Sequence, residues 1–585
     1  QEKTITGNIT DQDDVPLPGV NIVVKETTRG TQSDFDGNYS INASEGEILI
    51  YSYLGQTTIE RVVGASNTIN IQMQEDASQL EEVVVVGFGT QSKRLLTDNI
   101  AKIDSDQIGG ISTPALQNAL VGKAPGVQIT QINGKLEGGV KVIIRGLSSV
   151  SASQEPLYVI DGIEMNNNNI SSINANLNPL LALNPNDIES IDILKDASAT
   201  AIFGAKGTNG VVLITTKRGK AGKSTISVDV STSFGEPTNK RNWLNASQYI
   251  ELLRESAFNS AVFDFATQEE ADEWVDTRLQ RYQGDQNYKN LDTDWQEEAF
   301  QNSFIRDANI SFAGGTEKTK SFLSASYNDS DGIVRGNGLE RISLRANIDH
   351  DINDWLDVGF NLGYTSTVID RISGDNSFTT PLQAIAQVPT APVFLRDGEL
   401  NGNTLYANFL LQDKHSSRLT KRRRLLSKFF AELQLLESLK FKSEIGYDYL
   451  NQTVDRNTGR LAPFQSTNGQ SFASDNGTEI ISTNNYLTYN TLFGESSNID
   501  FVLGANYTRF KNRASSVTGD GFPTDNFKSV SSAATISAGT GTFSNWAQIS
   551  YFARATYDYK NRYILKASIR QDGSSRFGSN NRFGY

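Results

Sequence analysis

From Leu356 to Thr365 the side chains alternate. Leu356, Val358, Phe360, Leu362 and Tyr364 share one face, and Asp357, Gly359, Asn361, Gly363 and Thr365 the other. Successive strand residues point to opposite sides, so this period of two predicts a strand with one apolar and one polar face. Leu344, Ala346 and Ile348 set against Arg345, Asn347 and Asp349 predict the strand before it, with a tight connection at Asn353 and Asp354. In the same way Phe429, Ala431, Leu433 and Leu435 lead through a short turn to Phe441, Ile445, Tyr447 and Tyr449, and Tyr551, Ala553, Ala555 and Tyr557 lead to Tyr563, Leu565, Ala567 and Ile569. From Ser224 onward the pattern predicts about eleven strands. Their links alternate between turns of a few residues and long or polar stretches near 235–303, 369–420, 454–480 and 513–543. Membrane barrels sort their loops by side in this way, with short turns on one rim and long loops on the other, whereas a soluble sandwich has no reason to. In the first long link, Thr267 with Glu270 has the spacing of a capping box ahead of Ala271 to Trp274.

The first 75 residues read differently. ITGNIT, VNIVVKE, GNYSIN, EILIYSY and TINIQM are short β-branched and aromatic runs separated by turn formers, which predicts a small β-sandwich. Asp36-Gly37 suits a turn with positive φ; Asp34 and Asp36 lack the further oxygen ligands of a calcium loop, so the turn reading is preferred. Between about 101 and 219 helical stretches such as TPALQNALVG alternate with the apolar runs GVQIT, VKVIIRG, PLYVIDG, ESIDILK and NGVVLITTK, a mixed α/β pattern. Lys195 to Gly204 reads as a short helix stopped by glycine. GAKGTNG lacks the spacing of a phosphate loop and follows a helix. Joining the two regions is a polar segment that contains EEVVVVGFGT, Glu81 to Thr90: a valine run with no adjacent hairpin mate, which points to pairing in trans.

Composition changes this picture only by exclusion. At 585 residues the chain exceeds one compact domain, and its net charge of -14 argues against a nucleic-acid scaffold. Lys421-Arg422-Arg423-Arg424 is the exception, read as a strand end at a charged surface. Cysteine is absent and histidine occurs only at His350 and His415, so no thiolate metal site, disulfide or catalytic cysteine is expected, and neither is a metal or other cofactor. No apolar run is long enough for a spanning helix, which leaves a barrel open. The start at Gln1-Glu2-Lys3 is expected to be a mature end from which an export signal was cut.

This order of parts resembles the SusC/RagA-like branch of TonB-dependent outer-membrane transporters of Bacteroidetes, from Ile5 to the last residue. PLPGVNIVVKETTRGTQSDFDGNYSI looks like its carboxypeptidase-regulatory-like extension, and EEVVVVGFGTQSK like its TonB box. VIIRG, PLYVIDG and NPNDIESIDILKDASATAIFGAKGTNGVVLITTKRG look like its plug, and SIRQDGSSRFGSNNRFGY like a barrel-strand signature. The implied fold is mainly β: a sandwich over 1–75, TonB box and linker over 76–98, a mixed α/β plug over 99–220, and a transmembrane antiparallel barrel from 221 to 585. The family barrel has about 22 strands, so roughly half is present here and the rest is expected in a continuation of the chain.

The resemblance implies uptake without catalysis. An outer membrane holds no ATP, so energy would come from TonB, with ExbB and ExbD in the inner membrane. TonB would pair by β-augmentation with a periplasmic box of Glu81, Glu82, Val83, Val84, Val85, Val86, Gly87, Phe88 and Gly89. The sandwich and the box would lie in the periplasm, and the barrel in outer-membrane lipid. Arg145, Gly146, Asp161, Gly162, Lys195, Asp196, Gly204, Gly207 and Gly210 would be structural plug residues, with Arg145 and Asp161 in ion pairs. A SusD-like surface lipoprotein would capture oligosaccharides or, as in the RagA group, peptides. Trp243, Trp274, Trp295 and Phe378 in the long links could stack on sugars or pack against that lid. A non-transporting assembly or adhesion scaffold remains an alternative, as does an extracellular carbohydrate-active enzyme, which would leave the loop pattern unexplained.

Overall fold

The computed structural model describes residues 2–585 apart from 13, 26, 28, 54–55, 75–82, 86, 93–98, 109–115, 132–133, 148, 150–152, 168–176, 239, 261, 373–381, 463–467, 495 and 561. The chain divides into two compact units, 1–85 with 90–96, and 86–89 with 97–585.

In the first unit, one sheet orders Asn38–Ser44, Glu2–Thr10 and Ile71–Gln72, and a second orders Gly30–Gln32, Asn21–Val24, Ile48–Ser52 and Ile59–Val62. The alternate residues Ile5, Ile9, Ile22, Val24, Tyr39, Ile41, Leu49 and Tyr51 fill the core. The Asp34 carboxylate accepts the backbone N–H groups of Asp36 and Asn38 at 3.1 and 2.8 Å, while Gly37 takes a φ of 74°. Such an Asx turn closes the chain locally.

The second unit has an α/β part and a large sheet. Five strands are ordered Ile100–Asp104, Ile188–Leu194, Val211–Thr216, Leu157–Ile160 and Ile163–Glu164, flanked by the hairpin Val127–Gln131 and Val140–Ile144. Their apolar runs form one core with Leu116, Leu120, Leu180 and Leu183, to which Leu426 of the large sheet contributes. The expected helix after Lys195 is a single turn, Ala197–Thr200, followed by a 3-10 segment that breaks at Gly204, whose φ of 63° and ψ of -149° only glycine adopts readily.

The large sheet has twelve strands, each antiparallel to its neighbour in chain order. They run from Gly222–Gly235 and Ser303–Gly315 through Thr319–Asp331, Gly338–Asn353, Leu356–Asp370, Ser416–Leu436, Leu439–Thr458, Gln470–Phe493, Ser497–Asp520 and Thr535–Tyr559 to Tyr563–Ser574 and Phe583–Gly584. Links 316–318, 354–355, 437–438, 494–496 and 560–562 lie on one rim, and links 236–302, 332–337, 371–415, 459–469, 521–534 and 575–582 on the other. Two expected long links are shorter than 454–480 and 513–543, because the hairpins run on past the apolar zone, up to 25 residues in Thr535–Tyr559. About 9–11 residues cross a bilayer, and beyond it a strand no longer needs an apolar face, so alternation fades while pairing continues.

This sheet reverses the burial of a water-soluble one. Ile310, Leu323, Ile342, Leu344, Phe360, Phe429, Ile445, Leu503, Tyr551 and Ile569 are exposed, whereas Asn328, Arg341, Asn347, Asn361, Arg424, Asp448, Thr478, Asn506 and Arg554 are buried. Polar groups line the face that meets the α/β part, and apolar groups the opposite face. Among the described residues no helix is long and apolar enough to cross a membrane, which says nothing of strands.

Candidate functional site

The valine run has a local mate, contrary to expectation. Val83–Val85 pairs antiparallel with Thr90–Ser92, so that Val83 faces Ser92 and Val85 faces Thr90. The mate is three polar residues, too short for its alternation to show, and the reversal depends on Gly87 and Gly89 at φ of 70° and 102°. Among the described residues this ribbon has two strands, so each keeps one unpaired edge. Glu81, Glu82 and Val86 lie outside the described residues. The turn is anchored at Phe88, which is 9% exposed. Its ring stacks on Phe552 at 4.2 Å and meets Tyr486 and Phe203 at 5.6 and 6.2 Å. Arg554 Nη2 donates to the Phe88 carbonyl at 3.2 Å. A Cβ at Gly87 would come within 2.8 Å of Ile202, so close approach as well as φ requires glycine there.

The expected plug residues fall into three groups. Arg145 and Gly146 follow Val140–Ile144 with φ of 56° and 100°, and Arg145 pairs with Asp196. The Asn99 amide N–H, and then the Arg145 guanidinium, hold the Asp196 carboxyl below the usual carboxylate range. Lys195 donates to the Pro125 carbonyl at 3.0 Å. Asp161 and Gly162, with φ of 49° and 88°, form the two-residue turn between Leu157–Ile160 and Ile163–Glu164. The Asp161 carboxylate accepts from the Thr216 N–H and hydroxyl at 3.0 and 2.7 Å and lies 3.7 Å from Arg345 on the large sheet. Gly204, Gly207 and Gly210 sit where side chains do not fit: a Cβ would overlap the Asp572 carboxylate at Gly204, reach 2.9 Å from the Thr200 carbonyl at Gly207 and 2.6 Å from Ile144 at Gly210.

The sheet supplies a set of cations that sequence reading missed. Arg341 donates to the carbonyls of Leu181 and Leu183, Arg422 to that of Asn178 at 3.1 Å, Arg424 to that of Asn166 at 3.3 Å, and Lys428 to that of Asp161. Among the described residues, Asp448 pairs with Arg424 and Glu444 with Lys428. The run 421–424 is therefore no strand end at the surface. It lies mid-strand in Ser416–Leu436, with Arg422 and Arg424 turned to the α/β part and Lys421 and Arg423 exposed. Four consecutive basic residues put two on each face of a strand, so the run itself did not tell which pair turns inward.

Burial pushes the Glu155 carboxyl up to about 7, against a nearby Lys141. The folded state then binds more protons than the unfolded one between pH 4.5 and about 7, so the stability of this region falls as pH rises through that window. Glu155→Gln is expected to flatten that slope in melts of the α/β part followed from pH 4.5 to 8; an unchanged slope would assign it to another group.

The tryptophans divide. Trp295 is buried and donates through Nε1 to the Val388 carbonyl at 3.2 Å, and Trp274 packs on Phe263 at 4.6 Å under Arg278. Trp243 alone of the three is largely exposed, at 52%, on the edge of a cavity of about 770 Å³ with Tyr249, Leu252, Pro389 and Leu405. Phe378 lies outside the described residues.

Residues 5–85 match the CarboxypepD_reg-like domain family and residues 92–211 the TonB-dependent receptor plug domain family. All of the chain aligns with TonB-dependent receptor P3 of Formosa agariphila at 32% identity, covering 56% of that protein. All of it also aligns with TonB-dependent receptor SusC of Bacteroides thetaiotaomicron at 29% identity, covering 58%. The chain thus spans about half the length of the curated relatives it matches. Among solved structures, the RagAB peptide importer in its open-open state matches 86% of this chain and 57% of its own with a TM-score of 0.74 and 25% identity. With a plug-family region held against the polar face of an inside-out sheet, the chain is similar along its whole length to part of TonB-dependent receptors such as P3 and SusC, and shares its fold with the RagAB peptide importer.

Proposed function

We propose that the protein takes up oligomeric nutrients across the outer membrane, driven by TonB and working with a SusD-like surface lipoprotein. The observation that carries this reading is the reversed burial: apolar side chains face outward for lipid, and polar ones face a plug that must be able to leave. Water can replace hydrogen bonds and ion pairs as a polar interface opens, whereas a greasy one would resist with its whole buried area. In this reading 1–75 is a periplasmic sandwich, 76–98 the box and linker, 99–220 the plug and 221–585 the wall. The valine strand Val83–Val85 offers its unpaired edge to TonB, which ExbB and ExbD energise. Arg145, Asp161, Lys195, Asp196 and the plug glycines keep the plug folded and seated; they do not touch cargo.

Deleting residues 81–89 is expected to abolish uptake of labelled oligomers, as loss of TonB does, while leaving outer-membrane insertion and lipoprotein co-purification intact. Uptake that survives both changes would overturn the reading in favour of a non-transporting scaffold. Oligosaccharide is the first candidate cargo, by kinship with SusC; peptide is the second, by kinship with the RagAB peptide importer. Mass spectrometry of what co-purifies in mild detergent separates the two.

A further inference from the structure

Three arginines stand side by side on the polar face of the wall, at its long-link rim. Arg371 follows Leu356–Asp370 and donates its backbone N–H to the Arg418 carbonyl at 2.9 Å, and Arg418 is the register partner of Arg456 on the next strand. All three continue the buried registers, Thr365, Thr367 and Ile369 leading to Arg371, Arg424, Arg422 and Thr420 to Arg418, and Asp448, Gln452 and Val454 to Arg456.

Their charge is poorly matched. Glu137 of the plug accepts from Arg371 Nε at 3.3 Å, but among the described residues the buried Arg371 Nη1 has no acceptor, in a side chain only 5% exposed. Arg456 donates to Gln470 Oε1 at 3.1 Å and lies over the Phe472 ring. Among the described residues the ion pairs include no carboxylate on Arg418 or Arg456, and the charges that act on Arg418 are the other two arginines. Arg371 and Arg418 line a cavity of about 340 Å³. Of the three carboxylates at its edge, Asp331 and Asp370 take the outward register, and Asp413, on the helix Phe409–His415, has its charge disfavoured by burial, favoured by Arg335 and opposed by Asp370. Like charges at adjacent strand positions repel, and a buried unmet donor is costly, so an anion here would relieve both.

We propose that Arg371, Arg418 and Arg456 form an anion subsite on the path of the cargo, and that the imported oligomer carries carboxylate or sulfate groups. The inference rests on the import reading above. Guanidinium forks suit both anions, which take paired N–H donors. The subsite also reaches the plug, because Glu137, held by Arg371, accepts from Asn337 Nδ2 at 2.9 Å, and Asn337 in turn accepts the Leu136 N–H at 3.1 Å. An anion on Arg371 Nη1 weakens the pull of that guanidinium on Glu137, so cargo loosens the plug where it lands.

The test is calorimetry on the receptor purified with its membrane partners in detergent. Four probes are titrated: oligogalacturonate, a sulfated galactan oligosaccharide, an aspartate-rich peptide and neutral maltooligosaccharide. At least one anionic probe should bind, more weakly as salt rises, and about tenfold or more weaker in R418Q/R456Q. R418K/R456K, which keeps the charge, should retain part of the affinity and shows that the double change is tolerated. The three anionic arms distinguish uronate, sulfate ester and peptide carboxylate as the source. Binding of the neutral probe alone, anionic binding indifferent to R418Q/R456Q, or no binding of any probe overturns the subsite. The import reading fails separately: arginine-dependent binding without TonB-dependent uptake removes import and keeps the subsite, and uptake of neutral oligomers alone does the reverse.

Discussion

Asp448→Ala is expected to unseat the plug around Asn166, at a cost of about 3–5 kcal/mol, the usual penalty for breaking a buried ion pair from one side. Arg424 and Asp448 are 4% and 1% exposed, neighbours on adjacent strands of the wall, with Arg424 Nε donating to Asp448 Oδ1 at 2.9 Å. Together they clasp one plug residue, Asn166, by the two peptide groups that flank its Cα. Asp448 accepts the Asn166 N–H at 3.1 Å and Arg424 donates to the Asn166 carbonyl at 3.3 Å. Removing the carboxylate leaves a buried guanidinium without its counter-charge and an amide without its acceptor. Replacing both partners by apolar residues of similar volume, Arg424→Met with Asp448→Leu, removes the uncompensated charge, so the double change should cost less than Asp448→Ala alone. The measurement is a urea titration in detergent, with tryptic cleavage within 99–220 reporting plug release. A single variant within about 0.5 kcal/mol of the parent would mean that the pair does not hold the plug.

Legibility in the sequence follows the physics that wrote each part. The outer face of the wall was readable from Phe360, Leu344 and Ile445, because lipid imposes a period of two on every residue that touches it. The inner face was readable only as polar. Which group meets which there depends on how the plug seats: Asn166 and Asp448 are 282 positions apart, Asp161 and Lys428 267. No local pattern records such a pairing. Strand ends were misjudged at 454–480 and 513–543 because paired strands extend where no apolar face is needed. The candidate box was legible as β-forming, while its short polar mate Thr90–Ser92 and the aromatic slot around Phe88 were not, since Phe203, Tyr486 and Phe552 come from three separate segments.

Phe88→Ala is expected to free the turn of the valine hairpin. The ring is buried among Phe203, Tyr486 and Phe552, and truncating such a phenylalanine costs about 3–5 kcal/mol in lost contacts and residual cavity. The remaining hold on the turn is the Arg554 bond to the Phe88 carbonyl, which the substitution leaves chemically intact, worth about 1.5–3 kcal/mol as a charged hydrogen bond. The lost term exceeds the one that stays, so the anchored population should fall steeply. A spin label at Gln91 reports this directly: its mobile fraction should rise in Phe88→Ala and rise again when Arg554→Gln is added. Phe88→Leu keeps most of the apolar volume and should remain near the parent. The direction of the effect on uptake separates two roles for the anchor. If it withholds the box until cargo arrives, Phe88→Ala binds the TonB C-terminal domain more tightly without cargo. If it instead lets a pull on the box reach the plug through Phe203, TonB binding is kept and uptake falls. A spin label that stays immobile in Phe88→Ala would place the hold on the hairpin elsewhere.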